Sequence, residues 1–376
     1  MTDEFTSSPL FERVERARRR KTRIKDTHIT LAHGSGGKAM HELVEGLFLE
    51  YLRNPLLEMM EDQAVFEIGS TGSQAAGALP PTRMAFTTDS FVVDPLFFPG
   101  GDIGSLAVNG TVNDLAMSGA RPLYLSAGFI IEEGFPIEDL KRVLHSMRAA
   151  AAEAGVQIVT GDTKVVQKGS ADKLFINTSG IGIIESSARM SAARASVGDK
   201  VILSGTLGDH GTTIMIARGE LELETEIESD CAPLNGLVQT MLDEAARVAS
   251  VDALHCLRDP TRGGLATTLN ELALASEVCI QIYENRFPIR EEVHGACEIL
   301  GLDPLYVANE GKLVAIVAAE VADPLVARMR ESRYGKDACI IGEVKAEPRG
   351  IVAMQTGFGG TRIVDMLVGE QLPRIC

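Results

Sequence analysis

Tryptophan is absent from this 376-residue chain, and aromatic residues make up only 5% of it. Hydrophobic residues reach 45%, enough for sizeable cores, so those cores must be built from Leu, Ile, Val, Ala and Met. Cysteine is scarce as well. Cys231, Cys256, Cys279, Cys297, Cys339 and Cys376 fall at wide, irregular intervals and form no CxxC pair, which argues against a zinc ribbon or a redox dithiol. No stretch is long and apolar enough to span a bilayer. Reduced thiols and a cytoplasmic setting are the expectation. Basic residues are outnumbered, 36 against 52 acidic, for a formal charge of −16. A surface of that sign disfavours nucleic acid and anionic membranes as partners.

The charge is unevenly spread. Residues 11–25 carry eight Arg or Lys against Glu12 and Glu15, which makes residues 1–28 a basic arm. No apolar stretch follows it, so neither a signal peptide nor a twin-arginine export signal fits. It reads as a solvated helix or a disordered arm, or as a docking arm for an acidic partner.

The remaining length suggests roughly two domains. Ile29–Leu31 reads as a short strand entering a glycine-rich turn, and 38–53 shows helical spacing. Residues 67–83, rich in Gly, Ser, Ala and Pro, read as a loop. Strands are expected at 84–88, 126–131, 156–160 and 174–184, with a helix over 136–154 closed by Gly155. A polar, Ala-rich junction covers 186–197. The second half predicts strands at 200–204, 278–283, 313–318 and 338–343, and helices at 212–219, 235–250 and 263–275. Strands and helices alternate in both halves, so the class is mixed α/β. Gly357–Gly360 reads as a hinge that opens a terminal tail.

Three constellations carry chemistry. The loop His33-Gly34-Ser35-Gly36-Gly37-Lys38 could bring backbone N–H groups to an anion at a helix start. Ala32 and Ala39 stand where a Walker A loop needs Gly and Ser or Thr, so the loop is another kind of phosphate contact or a plain tight turn. Asp62, Asp89, Asp114 (after Asn113) and Asp162 recur through the first half, with Asp89 and Asp162 at expected strand ends and Lys164 two residues after Asp162. One such aspartate is a cap or a turn; four of them suit Mg2+ and phosphate, because Mg2+ takes hard oxygen ligands. The second half offers Gly208-Asp209-His210-Gly211, Asp259 to Gly264 with Arg262, and Asn309-Glu310-Gly311-Lys312. Last comes Cys376, a thiol on the final residue, where packing is an unusual use for it.

Taken together, His33–Lys38, Thr87–Val93, Pro95–Asp102, Asn113–Met117, Gly161–Val166 and the terminal Pro373-Arg374-Ile375-Cys376 resemble the HypE family. These are hydrogenase maturation factors of the AIR-synthetase-like (PurM-like) ATP-binding superfamily. The match runs in order from about residue 29 to the last residue, and the terminal Pro-Arg-Ile-Cys is its most specific element. The basic arm has no counterpart in it.

The resemblance implies two α/β domains: an ATP-binding and dimerisation domain at 29–187, whose strands complete a shared β-barrel in a homodimer, and an α/β domain at 188–356. A mobile tail at 357–376 follows. It implies that HypF carbamoylates Cys376, that ATP drives loss of water from the S-carboxamide to give an S-cyanide, and that a HypC–HypD complex accepts the cyano group for hydrogenase iron. Asp62, Asp89 and Asp162 would bind Mg2+, with Asn113 and Asp114 completing the ATP site. Glu310 would be the general base, Lys164 and His210 further catalytic groups, and Asp209 and Arg262 phosphate or substrate contacts. Gly34, Gly36, Gly37 and Lys38 would line the nucleotide site or the tail's channel. Arg374 is expected to favour the Cys376 thiolate, against the terminal carboxylate. The alternatives are a non-catalytic carrier of the carbamoyl group or another ATP-using member of the superfamily. Selenophosphate synthetase is disfavoured because no cysteine precedes Cys231.

Overall fold

Residues 26–69, 81–219, 225–369 and 374–376 are described by a computed structural model. The basic arm through residue 25 lies outside them. Leu31–Gly34 forms a 3-10 turn and the strand expected at Ile29–Leu31 is absent; the Thr30 N–H donates to His33 Nδ1 (3.1 Å) and closes the turn. Helix α1 (Lys38–Leu43) continues through a π-helical segment, Val44–Phe48, to Leu52.

The first domain is a five-stranded sheet: β1 (Ala64–Ile68), β2 (Thr82–Phe91), β3 (Arg121–Glu132), β4 (Gln157–Val166) and β5 (Leu174–Ile184). Its order is β1-β2-β5-β3-β4, antiparallel except for the β3–β4 pair. That parallel pair needs a crossover, which helix α3 (Ile137–Ala154) supplies. One sheet face is covered by α3 and by α2 (Ile103–Met117), in a core of Phe91, Leu125, Leu174, Ile176, Leu106, Val112 and Met147. The α2 helix has no amphipathic stripe because it is buried on all sides, between this sheet and the second domain. A helix of that kind lacks the 3.6-residue signal, and no helix was expected there from the sequence.

The second domain is a seven-stranded sheet of β6 (Lys200–Leu203), β7 (Leu254–Arg258), β8 (Cys279–Tyr283), β9 (Val314–Val317), β10 (Cys339–Lys345), β11 (Ile351–Gln355) and β12 (Thr361–Val364), ordered β12-β11-β8-β10-β6-β9-β7. Alternate residues serve two cores, as strand periodicity requires. Ile202, Ala315 and Val317 meet α5 (Asn235–Val248) and α8 (Ala319–Met329), while Val201, Leu203, Val314 and Ile316 meet α6 (Gly264–Ala275). Helices α4 (Asp209–Ala217) and α7 (Glu291–Leu300) close one end. The expected hinge at 357–360 is the turn of the β11–β12 hairpin, so ordered sheet continues to Val364. Among the described residues no helix is long and apolar enough to cross a membrane.

Candidate active site

Antiparallel register assembles the site. Val314, at the start of β9, pairs with Leu203 at the end of β6 and with Arg258 at the end of β7. Loops 204–208, 259–263 and 309–312 therefore meet at one end of the second sheet. Asn309 ties them together: its Nδ2 donates to the Pro260 carbonyl (2.9 Å) and its Oδ1 accepts from the Gly208 N–H (2.8 Å).

Glu310 is held by its backbone. Its N–H donates to Asp230 Oδ1 (3.1 Å), its carbonyl accepts from Asn113 Nδ2 (3.4 Å), and Asp230 also faces Lys312 Nζ (3.1 Å). A Cβ at Gly311 would stand 1.8 Å from the Asp230 carbonyl oxygen, so only glycine allows this approach. Asn113, taken from the sequence as a nucleotide contact, is a buried strut. It also binds the Ala232 carbonyl (3.1 Å) and the Leu234 N–H (2.8 Å). The Glu310 carboxyl is buried, and Oε1 has no hydrogen-bond partner. Burial, then the charges of Asp89, Asp259 and Asp230, push its pKa well above the usual carboxylate range.

The chain's own terminus fills the space before Glu310. The Cys376 side chain is buried, and Arg262, Glu310 and Asp89 lie close enough to act on its thiol. Burial raises the thiol pKa above its ordinary value, so the docked group is SH. Arg374 does not serve the thiol as expected; its guanidinium turns to Asp172 and Asp94. Arg262 takes the place beside the sulfur, and its Nη1 donates to the Gly34 carbonyl (3.2 Å). His210 is placed to position the tail. Its Nε2 meets the Ile375 carbonyl (2.7 Å) and its Nδ1 meets Ser229 Oγ (2.8 Å), so both ring nitrogens are engaged in holding the tail. Burial lowers its pKa, which keeps the ring neutral.

The glycine-rich loop packs against Arg262 and the tail. A Cβ at Gly36 would lie 2.4 Å from the Arg262 carbonyl oxygen, and one at Gly37 would lie 2.4 Å from that of Leu367. The Lys38 N–H donates to the Leu367 carbonyl (2.8 Å). Gly34 contributes its carbonyl to Arg262, and the Lys38 side chain is exposed.

Behind the thiol lies an acid cluster. Asp89 sits within β2, two residues before its end, Asp114 is near the end of α2, Asp62 precedes β1, and Asp259 follows β7. Burial raises all four, Asp62 to about 6, Asp259 to about 8, Asp89 above its ordinary value and Asp114 well above it, and repulsion from the other aspartates adds to the rise at Asp259 and Asp114. Thr87 Oγ1 lies 2.8 Å from Asp114 Oδ2 and 2.9 Å from the Asp62 carbonyl. One hydroxyl proton cannot serve two acceptors, so a protonated Asp114 completes the network. Arg258, buried beside Asp62, is the cluster's one close ion-pair partner among the described residues. Among those residues no three acids converge closely enough to ligate one ion, but their shared proton affinity marks a place built for added positive charge.

Asp162 and Lys164 do not join this cluster. They pair with each other (2.7 Å) on the edge strand β4, 71% and 67% exposed. Strand alternation is the reason. Asp162 stands opposite Gly128, Gly128 opposite Asn177 and Asn177 opposite Ser90, whereas Asp89 stands opposite the buried Thr178. A one-residue offset puts the two sets on opposite faces. Asp162 and Lys164 line a hollow of about 400 Å³ on the outer face, with Ser90 and Asn177. Asp209 stands apart as well, beside Thr206, Arg290 and Lys312. Burial raises its pKa, and Oδ1 has no partner.

Sequence reasoning missed Asp230 and left Asp259 and Lys312 without roles. Asp259 carried a signal in its Asp-Pro-Thr-Arg-Gly-Gly setting, while nothing local marks Asp230, which acts through a loop 80 residues away.

A two-domain α/β fold with a buried acid cluster and a tail in its own cleft defines a protein of the AIR-synthase-related class. The pattern of the "AIR synthase related protein, N-terminal domain" matches residues 61–184, and that of the C-terminal domain matches 196–355. The carbamoyl dehydratase HypE of Azotobacter vinelandii is 54% identical over 353 residues, 94% of this chain and 98% of that protein. A solved HypE–HypF complex contains a chain 50% identical, with a TM-score of 0.78 over 86% of this chain and 99% of that one. HypE solved in complex with ATP is 49% identical, with a TM-score of 0.74 over 93% and 100%. The chain belongs to the HypE carbamoyl dehydratase family.

Proposed function

We propose that this chain is an ATP-dependent carbamoyl dehydratase whose substrate is its own Cys376, carried as the S-carboxamide. The observation that carries this reading is the docked terminus, held at Ile375 by His210 (2.7 Å) and at Cys376 by the Val92 N–H (3.0 Å), which buries the thiol beside Glu310 and the acid cluster. A carboxamide on the same sulfur would meet the same carboxyl.

Its oxygen is a poor leaving group until it takes the γ-phosphoryl of ATP, releasing ADP. The C–O bond then breaks, inorganic phosphate departs, and two N–H protons are lost on the way to the C≡N bond. Glu310 is the base that receives the first as the imidoyl phosphate forms, in a site that excludes water, and the departing phosphate carries off the second as the C≡N bond closes. Arg262 steadies the charge on the transferring phosphoryl group. The acid cluster suits Mg2+ bound together with phosphate: one or two of Asp62, Asp89, Asp114 and Asp259 would ligate the ion, phosphate oxygens and water would complete its shell, and the ion would neutralise phosphate charge. Loading the site with this positive charge lowers the carboxyl pKa values and leaves Glu310 free to accept a proton.

A docked, protonated and buried thiol is a poor nucleophile, so carbamoyl transfer from HypF takes place with the tail outside. The cyano group then passes to iron on HypC–HypD. A homodimer is supported by a sheet face that no described residue covers, where Phe86, Tyr124, Ile130 and Ile158 are exposed beside the edge strand β4. In a two-fold dimer closed on that face, Asp162 and Lys164 would point at the second copy. Ile130→Asp is expected to convert the dimer to a monomer in light scattering, with an unchanged circular dichroism spectrum. A variant that stays dimeric would place the contact elsewhere.

Intact-mass spectrometry of the chain with HypF, carbamoyl phosphate and Mg-ATP tests the whole reading. The expected record is a carbamoyl adduct on Cys376 that then loses one water. An adduct that persists under ATP would reduce the chain to a carrier and overturn the dehydratase reading.

A further inference from the structure

The last three residues run beside Val92–Asp94 almost as an added strand. The Val92 N–H donates to the Cys376 carbonyl (3.0 Å), and the Asp94 N–H to the Arg374 carbonyl (3.2 Å). Arg218 spans both partners, with Nη2 on the Arg374 carbonyl (2.8 Å) and Nε on the Asp94 carbonyl (2.8 Å). Arg374 Nε donates to the Val92 carbonyl (3.1 Å), and its Nη1 pairs with Asp172 and lies 4.0 Å from Asp94 Oδ2. Asp172 belongs to the β4–β5 turn, far along the chain from the residues that touch the sulfur. Arg374 takes a left-handed backbone conformation (φ 53°), which L residues avoid, so its contacts must hold it there.

Backbone bonds of this kind form with any sequence, whereas the guanidinium sockets select one residue. We propose that Asp172 and Asp94 form an acceptor site for the Arg374 guanidinium, and that with Arg218 they fix the tail so that the Cys376 side chain reaches Glu310. The three are positioning residues that act on the sulfur only through Arg374. Asp94 is shared with Lys173 Nζ (2.9 Å), which leaves Asp172 as the carboxylate devoted to the tail. The latch is half-exposed, so it is weak and screened by salt. Weakness suits a tail that must also leave: a buried, dry socket would hold the thiol away from its carbamoyl donor. This inference rests on the reading that Cys376 reacts in this site.

The test is the rate of Cys376 alkylation by iodoacetamide in the full chain, followed by mass spectrometry of the C-terminal peptide at low salt. Asp172→Asn should raise the rate about fivefold, the fold-change of a partly exposed ion pair. Arg374→Ala should raise it further, and Arg374→Lys less than Ala does. The exchanged pair Asp172→Arg with Arg374→Asp should recover protection that Arg374→Asp alone loses, which a merely structural role would not give. In the unaltered chain, added salt should speed alkylation without any substitution, so the outcome does not hang on a variant folding. Equal rates in the wild type, Asp172→Asn and Arg374→Ala, with no salt effect, would overturn the latch. The assay uses neither ATP nor a carbamoyl donor. Charge-dependent protection in a chain that never dehydrates its adduct would keep the latch and sink the dehydratase reading.

Discussion

Glu310→Gln is expected to slow dehydration of the carbamoylated tail by about 10²- to 10⁴-fold, the usual worth of a positioned general base. Carbamoylation of Cys376 should continue, because in the proposed cycle the thiol is charged with the tail outside this site. Glutamine keeps the shape and leaves both anchors intact, since Asp230 and Asn113 grip the Glu310 backbone and not its side chain. The carboxyl it replaces is buried with an orphaned oxygen and a raised pKa, so the variant should melt no earlier than the parent. Single-turnover mass spectrometry on a pre-carbamoylated tail reads the step directly. Dehydration at the parental rate would assign the proton to another base.

The second large effect is on pH. Asp259 releases its proton near pH 8 and Asp62 near pH 6 in the folded chain, against an ordinary aspartate value of about 3.9. Between those values the folded state holds protons that the unfolded chain has already lost. Stability from these groups is therefore complete below about pH 4 and falls as pH rises through the folded pKa values, toward about pH 8. Mg2+ and protons compete for the same carboxylates. The rise in melting temperature on adding Mg-ATP should thus be larger at about pH 8 than at about pH 6, and Asp259→Asn should flatten the difference. A Mg-ATP effect independent of pH, or one that Asp259→Asn leaves unchanged, would show that the cluster does not take up the cation.

Strands such as 174–184, and the helix beginning near 136, were legible because one element buries one face and repeats its period. The α2 helix was not, because burial on every side removes the stripe that marks a helix. The acids divide in the same way. Asp62, Asp89 and Asp114 were recognised in the sequence and do gather, together with Asp259. Asp162 was grouped with them by its setting alone, and one residue of β-sheet register sends it to the other face.

The sequence by itself determined the acid-bearing loops, the glycines that permit close backbone contact and a terminal thiol with an arginine two residues before it. These are local properties, written in residue type and spacing. Only the tertiary structure decided that the thiol meets Glu310, that His210 and the glycine-rich loop serve the tail, and that Arg374 faces Asp172 and not the sulfur. Each of those outcomes joins segments far apart in the chain, and the pairing follows from sheet register and domain packing, which no short window of sequence contains.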